Sequence, residues 1–99
     1  MDYKIILSPR AIQDLQEVVR YIAWDNPVQA EKFGHLLIGR ARSLNTFPER
    51  GRVVPEIGNP AIREIIFKSY RIIYRIQNET RLVEISRIWH GARGVPEIS

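Results

Sequence analysis

Between Arg63 and Arg93 the chain carries seven lysines and arginines against three acids, with one histidine, His90, near the end of the run. Such a surplus favours an acidic or polyanionic partner through steering and counterion release. Most of these cations are arginines. A planar guanidinium grips a phosphate or a carboxylate with two parallel hydrogen bonds, which an ammonium does not. An imidazole gains or loses a proton near neutral pH and can therefore serve as acid or base. Arg63, Arg71, Arg87, His90 and Arg93 form the candidate target-binding set.

Other chemistries find no support in the residue types. There is no cysteine, which excludes disulfides, thiolate nucleophiles and cysteine-ligated zinc. Two histidines far apart in the chain do not make a structural zinc site, and neither a Gly-rich phosphate loop nor a Gly-x-Ser-x-Gly elbow occurs. No cofactor and no metal are expected. His35, inside a helical stretch, reads as a partly exposed helix residue. Tyr70, Tyr74 and Trp89 could stack on bases, but aromatics in a half-buried sheet more often pack as core. Trp24 is expected to tuck beneath a helical turn rather than to serve as a binding anchor.

The elements that must position these residues follow from apolar spacing. Tyr3-Lys4-Ile5-Ile6-Leu7 is a β-prone run, and Ser8-Pro9 supplies a helix cap followed by a first-turn proline. Ile12, Leu15, Val18 or Val19, and Ile22 recur at three and four positions, predicting a helix from about Pro9 to Trp24. Asn26-Pro27 with Gln29 reads as a second start, and Ala30, Phe33, Leu37, Ala41 and Leu44 continue a second stripe until Pro48. Helices joined so closely pack as an antiparallel hairpin. From Phe47 to Pro60 the connection is rich in proline and glycine. Beyond it, Ala61 to Phe67, Tyr70 to Ile76 and Arg81 to Trp89 have β character and short turns between them, predicting a three-stranded antiparallel meander.

An α+β fold is expected, with an N-terminal strand joining the meander into one sheet of about four strands and both helices on one face. Residues 1–99 are expected to form one domain with the arginines gathered on one accessible side. No apolar run is long enough for a membrane span, and Met1-Asp2-Tyr3-Lys4 lacks the features of a signal peptide, so no membrane association and a cytoplasmic location are expected.

In order along the chain, Ser8-Pro9-Arg10-Ala11-Ile12-Gln13-Asp14-Leu15, the hairpin Tyr21-Ile22-Ala23 to Ala30-Glu31-Lys32-Phe33, Leu44-Asn45-Thr46-Phe47-Pro48-Glu49-Arg50-Gly51-Arg52, Tyr70-Arg71-Ile72-Ile73-Tyr74-Arg75-Ile76 and Ile88-Trp89-His90-Gly91-Ala92-Arg93 resemble the RelE/ParE toxins often called plasmid stabilisation proteins. The resemblance implies the toxin of a type II toxin–antitoxin system, neutralised by a cognate antitoxin and touching operator DNA only through it. ParE-like members inhibit DNA gyrase. RelE-like members cleave mRNA on the ribosome without a metal.

The uninterrupted helical hairpin and the Phe-Pro-Glu-Arg-Gly connection resemble the ParE side more closely. If the chain were a nuclease, the resemblance would make Arg71, His90 and Arg93 catalytic: Arg71 on the phosphate, His90 as acid or base, and Arg93 as the cation of the C-terminal motif. Arg63 stands near the position of RelE lysines, although Glu64, Ile65 and Ile66 follow where nucleases prefer cations. A third possibility is an inactive toxin that serves only as co-repressor. Against a direct role, Arg71 could be a strand residue paired with a glutamate, and His90 a turn residue bonded to backbone.

Overall fold

The computed structural model describes residues 2–98. Strand β1 spans Lys4–Leu7, helix α1 Pro9–Ala23 and helix α2 Pro27–Arg42, and two 3-10 turns, Ser43–Asn45 and Pro48–Arg50, carry the chain onward. Then follow β2 (Arg52–Val53), β3 (Ile62–Phe67), β4 (Tyr70–Gln77), β5 (Leu82–His90) and a last 3-10 turn, Gly91–Arg93.

Each helix begins where a side chain satisfies an orphan backbone donor. Ser8 Oγ accepts from the Ala11 N–H at 3.0 Å, and Asn26 Oδ1 accepts from the Gln29 N–H at 3.1 Å, each with proline next in line. The helices approach closely at Gly34, where a Cβ would sit 3.1 Å from Val19 Cγ2. Their shared stripe, Ala11, Val18, Leu37 and Ala41, together with Leu44 of the 3-10 turn that follows, packs against Ile72, Tyr74, Val83, Ile85 and Ile88 of the sheet. At the tip, Trp24 is 90% exposed, which overturns the expectation that it tucks beneath the hairpin. The helix ends before it, and nothing folds back over the indole.

The sheet has five strands in the order β1-β5-β4-β3-β2, one more than expected. The addition is β2, which pairs antiparallel with β3 through Arg52 opposite Glu64 and Val53 opposite Arg63. The meander β3-β4-β5 is antiparallel, whereas β1 runs parallel to β5 from Lys4 opposite Leu82 to Leu7 opposite Ile85. Ile73 pairs with Arg87 while the next residue, Tyr74, pairs with Ile85, so Ser86 is an extra residue bulged out of β5. The bulge resets the two-residue alternation and lets both Ile85 and Ile88 face the helices.

The other face of the sheet is also covered. Val54, Ile62 and Ile73 form a second buried cluster there, with Trp89 and Ile98 packed against it. The tail reaches across by way of Trp89 Nε1–H donating to the Gly94 carbonyl at 3.0 Å and Arg87 Nη1–H donating to the Glu97 carbonyl at 2.9 Å.

Candidate target-binding site

Register assigns each predicted residue to a face. On the sheet face away from the helices, one cross-strand row reads Arg52, Glu64, Ile73, Arg87 and the next reads Ile66, Arg71, Trp89. Arg63 pairs with Tyr74, a core residue beneath the helices, and so lies on the opposite face. Its guanidinium donates to the backbone carbonyls of Pro60 at 2.9 Å and Gly51 at 3.0 Å. The expectation that the arginines gather on one accessible side is corrected accordingly, and Arg63 acts as a brace for the connection before β3.

Arg71 is sealed by carboxylates. Its Nε donates to Glu64 Oε1 at 2.5 Å, and Nη1 and Nη2 donate to the two oxygens of Glu56, each at 2.8 Å. Glu64 is itself fully buried and also accepts from Arg52 Nε at 2.6 Å. Two cations and two anions make a neutral group. These bonds hold the Glu56 carboxyl well below its ordinary value, at about 2, with the hydrogen bonds from Arg71 as the main cause. Arg71 is pushed upward for the same reason, chiefly by Glu56.

Arg87 is likewise paired, with Asp14 of α1 at 2.8 Å. Its guanidinium also lies 4.8 Å from the centre of the Trp89 ring, and that of Arg93 lies 4.4 Å from the same ring. Arg93 is exposed in the Gly91–Arg93 turn. His90 caps that turn: its Nδ1 accepts from the Ala92 N–H at 3.1 Å, so the neutral ring carries its proton on Nε2. The imidazole meets Tyr70 edge to face at 5.1 Å. Burial raises the Tyr70 phenol above its ordinary value and keeps it a hydrogen-bond donor. Tyr70, His90 and Arg93 share a concavity of about 240 Å³ with Glu17 and Tyr21 of α1.

The structure therefore brings His90 and Arg93 together at one end of the β4–β5 hairpin, with Arg87 behind them against Trp89. Arg71 sits in the adjoining row within its ion-pair group, and Arg63 lies elsewhere. Sequence reasoning missed Glu56 and Asp14 as the partners that hold Arg71 and Arg87, and Tyr21 as a wall of the concavity. Among the described residues no cluster of three metal-ligating side chains forms, and no helix is long and apolar enough to cross a membrane.

A family model described as the ParE toxin of the type II toxin–antitoxin system parDE matches residues 5–95, from β1 into the C-terminal tail. The chain belongs to the RelE/ParE superfamily of type II toxins. Toxin RelE1 of Caulobacter vibrioides is 33% identical over 95 residues, covering 92% of this chain and 96% of the relative. Toxin RelE2 of the same organism is 33% identical over 91 residues, covering 91% and 97%. Among solved structures, a chromosomal ParDE system from P. aeruginosa superposes with a TM-score of 0.72 at 18% identity, over 89% of this chain and 95% of that one. The RelBE2 toxin–antitoxin complex from Mycobacterium tuberculosis gives 0.69 at 22% identity, over 91% and 92%. These two share the RelE/ParE fold of two helices on one sheet, as expected from the sequence.

Proposed function

We propose that this RelE/ParE toxin acts in the cytoplasm as a ParE-like inhibitor of DNA gyrase, engaging it as a protein partner through the His90–Arg93 end of the sheet, and is neutralised by a cognate antitoxin. The observation that carries this reading is the sealing of Arg71. Metal-free RNA cleavage needs cations already aimed at the phosphate. A guanidinium whose Nε, Nη1 and Nη2 all donate to carboxylates would first have to break those bonds. The neighbouring β3 adds Glu64, Ile65 and Ile66, and its one cation, Arg63, lies on the other face of the sheet. What stays exposed is Arg93 beside aromatic side chains, a composition suited to a protein interface. Purified gyrase assayed for supercoiling with and without the toxin tests the proposal, and unchanged activity at micromolar toxin would remove it.

A RelE-like endoribonuclease using Arg71, His90 and Arg93 is the second reading. It is favoured by the imidazole beside Tyr70 and Arg93 in one concavity. New codon-aligned 5′ ends on translated mRNA after induction would establish it over gyrase inhibition.

An antitoxin partner is supported by the ParDE and RelBE2 structures, which are toxin–antitoxin assemblies of the same fold. Its ordered segment would lie along the helical hairpin, where Tyr21, Trp24 and Val28 are exposed, or add to an edge strand. Failure of the neighbouring gene product to co-purify with the toxin would contradict this.

A further inference from the structure

We propose that the tail Gly94–Ile98 is a displaceable strap lying in a peptide groove, and that the groove takes an extended segment of a partner protein with an apolar side chain in place of Ile98. The groove is on the sheet face away from the helices. Val54, Ile62 and Ile73 floor it, Trp89 packs alongside, and Ile98 is the side chain that the tail lays against them. Pro96 is buried as well, whereas Val95 and Glu97 on either side of it are exposed. Alternate residues thus face inward, as in an extended peptide seated in a groove.

Little of what fixes the tail depends on its sequence. The hydrogen bonds from Trp89 Nε1–H and Arg87 Nη1–H end on the main-chain carbonyls of Gly94 and Glu97, three residues apart, which any extended segment presents. Among the described residues no backbone-to-backbone hydrogen bond ties 94–98 to the sheet, and the tail forms no strand. Between the tail and α1 a hollow of about 430 Å³, walled by Arg10, Gln13, Val95 and Glu97, leaves that edge unsealed. At the root, Gly94 has φ +82° and ψ −147°, a conformation restricted to glycine, and a Cβ there would meet nothing within 4 Å. Glycine serves there for its backbone alone, turning the chain from Arg93 onto the sheet.

A segment with so few ties opens without unfolding the strands beneath it. Opening frees two donors and bares the apolar floor. An incoming segment restores each contact with two carbonyls and one branched side chain, main chain supplying affinity and the pocket specificity. Arg87 keeps its Asp14 partner throughout, so the groove presents a hydrogen-bond donor over an apolar floor rather than an unpaired charge. An apolar anchor is therefore preferred over an acidic one. The inference holds whether the toxin acts on gyrase or on RNA.

The test follows hydrogen exchange at the two indole N–H groups of the full chain labelled with ¹⁵N, with Trp24, 90% exposed, as the free reference. The Trp89 indole is expected to exchange about tenfold more slowly than that of Trp24, yet at least about a hundredfold faster than the central amides of β4 and β5. Ile98→Ser, which removes the anchor, and Gly94→Val, which cannot keep the positive φ, should each bring Trp89 to within about threefold of Trp24. Val95→Ser, at an exposed position, should leave it unchanged. A blocked peptide with the tail's sequence, Ac-Gly-Val-Pro-Glu-Ile-Ser-NH2, is expected at millimolar concentration to restore slow exchange in Ile98→Ser, and a twin with aspartate for isoleucine is not. Wild type should not respond, because its own tail is tethered at a comparable effective concentration. Trp89 exchanging no faster than the β4 and β5 amides would make the tail a permanent part of the fold and overturn the proposal. Unchanged exchange in both strap variants, no response of Ile98→Ser to the peptide, or an equal response to the aspartate twin would each overturn it too.

Discussion

Asp14 and Arg87, 73 positions apart in the chain, meet in a buried two-pronged ion pair, with Arg87 Nε 2.8 Å from Oδ2 and Nη2 3.0 Å from Oδ1. The same Oδ2 accepts the Ile88 N–H at 3.0 Å, beyond the point where β1 stops pairing with β5. One carboxylate thus joins α1 to the strand that carries His90. Asp14→Ala leaves a guanidinium and an amide buried without their acceptor. A loss of about 3–5 kcal/mol in urea unfolding is expected. Adding Arg87→Met should recover part of that loss, because the uncompensated charge disappears. A single-mutant loss below about 1 kcal/mol would mean that water or the Glu97 carbonyl suffices.

Charge reversal separates two arginines that look alike in the sequence. Glutamate at Arg71 would stand beside Glu64 and Glu56, three carboxylates at a site where Arg71 is almost wholly enclosed. Arg71→Glu is expected to yield insoluble or unfolded protein. Arg93→Glu, at an exposed turn, should change stability by less than about 0.5 kcal/mol and abolish toxicity on expression if that end engages the target. Circular dichroism and a growth assay on both variants check this. The sequence alone leads to the expectation that neither reversal disturbs folding, and the ion-pair group corrects that for Arg71.

Acid should weaken the same group. The Glu56 carboxyl has an ordinary value of 4.5 and is held at about 2 by Arg71, so the folded protein resists its protonation more than the unfolded chain does. The stability it contributes is complete above about pH 4.5 and is lost as pH falls toward about 2. Glu56→Gln is expected to lower the unfolding midpoint at pH 7 and to erase the difference from wild type near pH 2. A difference that stays constant with pH would show that the pair does not couple to folding.

Much of the architecture was legible because it rests on period and punctuation. Leu15, Val18 and Ile22 share one helical face that meets the core, whereas Ile12 stands at its exposed edge and Ala11 takes the core position, and Ser8-Pro9 and Asn26-Pro27 mark starts that the backbone must have. Strand β2 was not legible: two residues have no period, and Arg52–Val53 become a strand only because β3 offers them a register. The Ser86 bulge leaves no local mark either. For the site, residue type identified His90 and Arg93 as neighbours in sequence that remain neighbours in space. It offered a glutamate partner as one reading of Arg71 but could not name Glu56, which lies 15 positions upstream in a turn and reaches Arg71 only after β3 and β4 have paired. Trp24 failed for a similar reason: whether a turn aromatic is covered depends on distant chain.

Gly51 and Tyr74 offer a test of how the Phe47–Arg50 turn is held. The Gly51 backbone is extended, with φ −76° and ψ 161°, so any residue could adopt it. Space is what glycine provides there, because a Cβ would come within 2.5 Å of both the Glu64 carbonyl oxygen and the Tyr74 hydroxyl. Gly51→Ala must therefore push the turn away from β3 and break the hydroxyl bridge, in which Tyr74 donates to the Pro48 carbonyl at 2.6 Å and accepts from the Gly51 N–H at 3.0 Å. Tyr74→Phe removes the bridge without the collision and leaves a buried N–H and carbonyl unsatisfied, a loss of about 1–3 kcal/mol. Gly51→Ala should cost at least as much, because overpacking adds about 1–3 kcal/mol of its own. Since both changes remove the same hydrogen bonds, the double variant is expected to lose clearly less than the sum in chemical denaturation. Strict additivity would place the constraint on Gly51 elsewhere, with the Glu64 carbonyl alone.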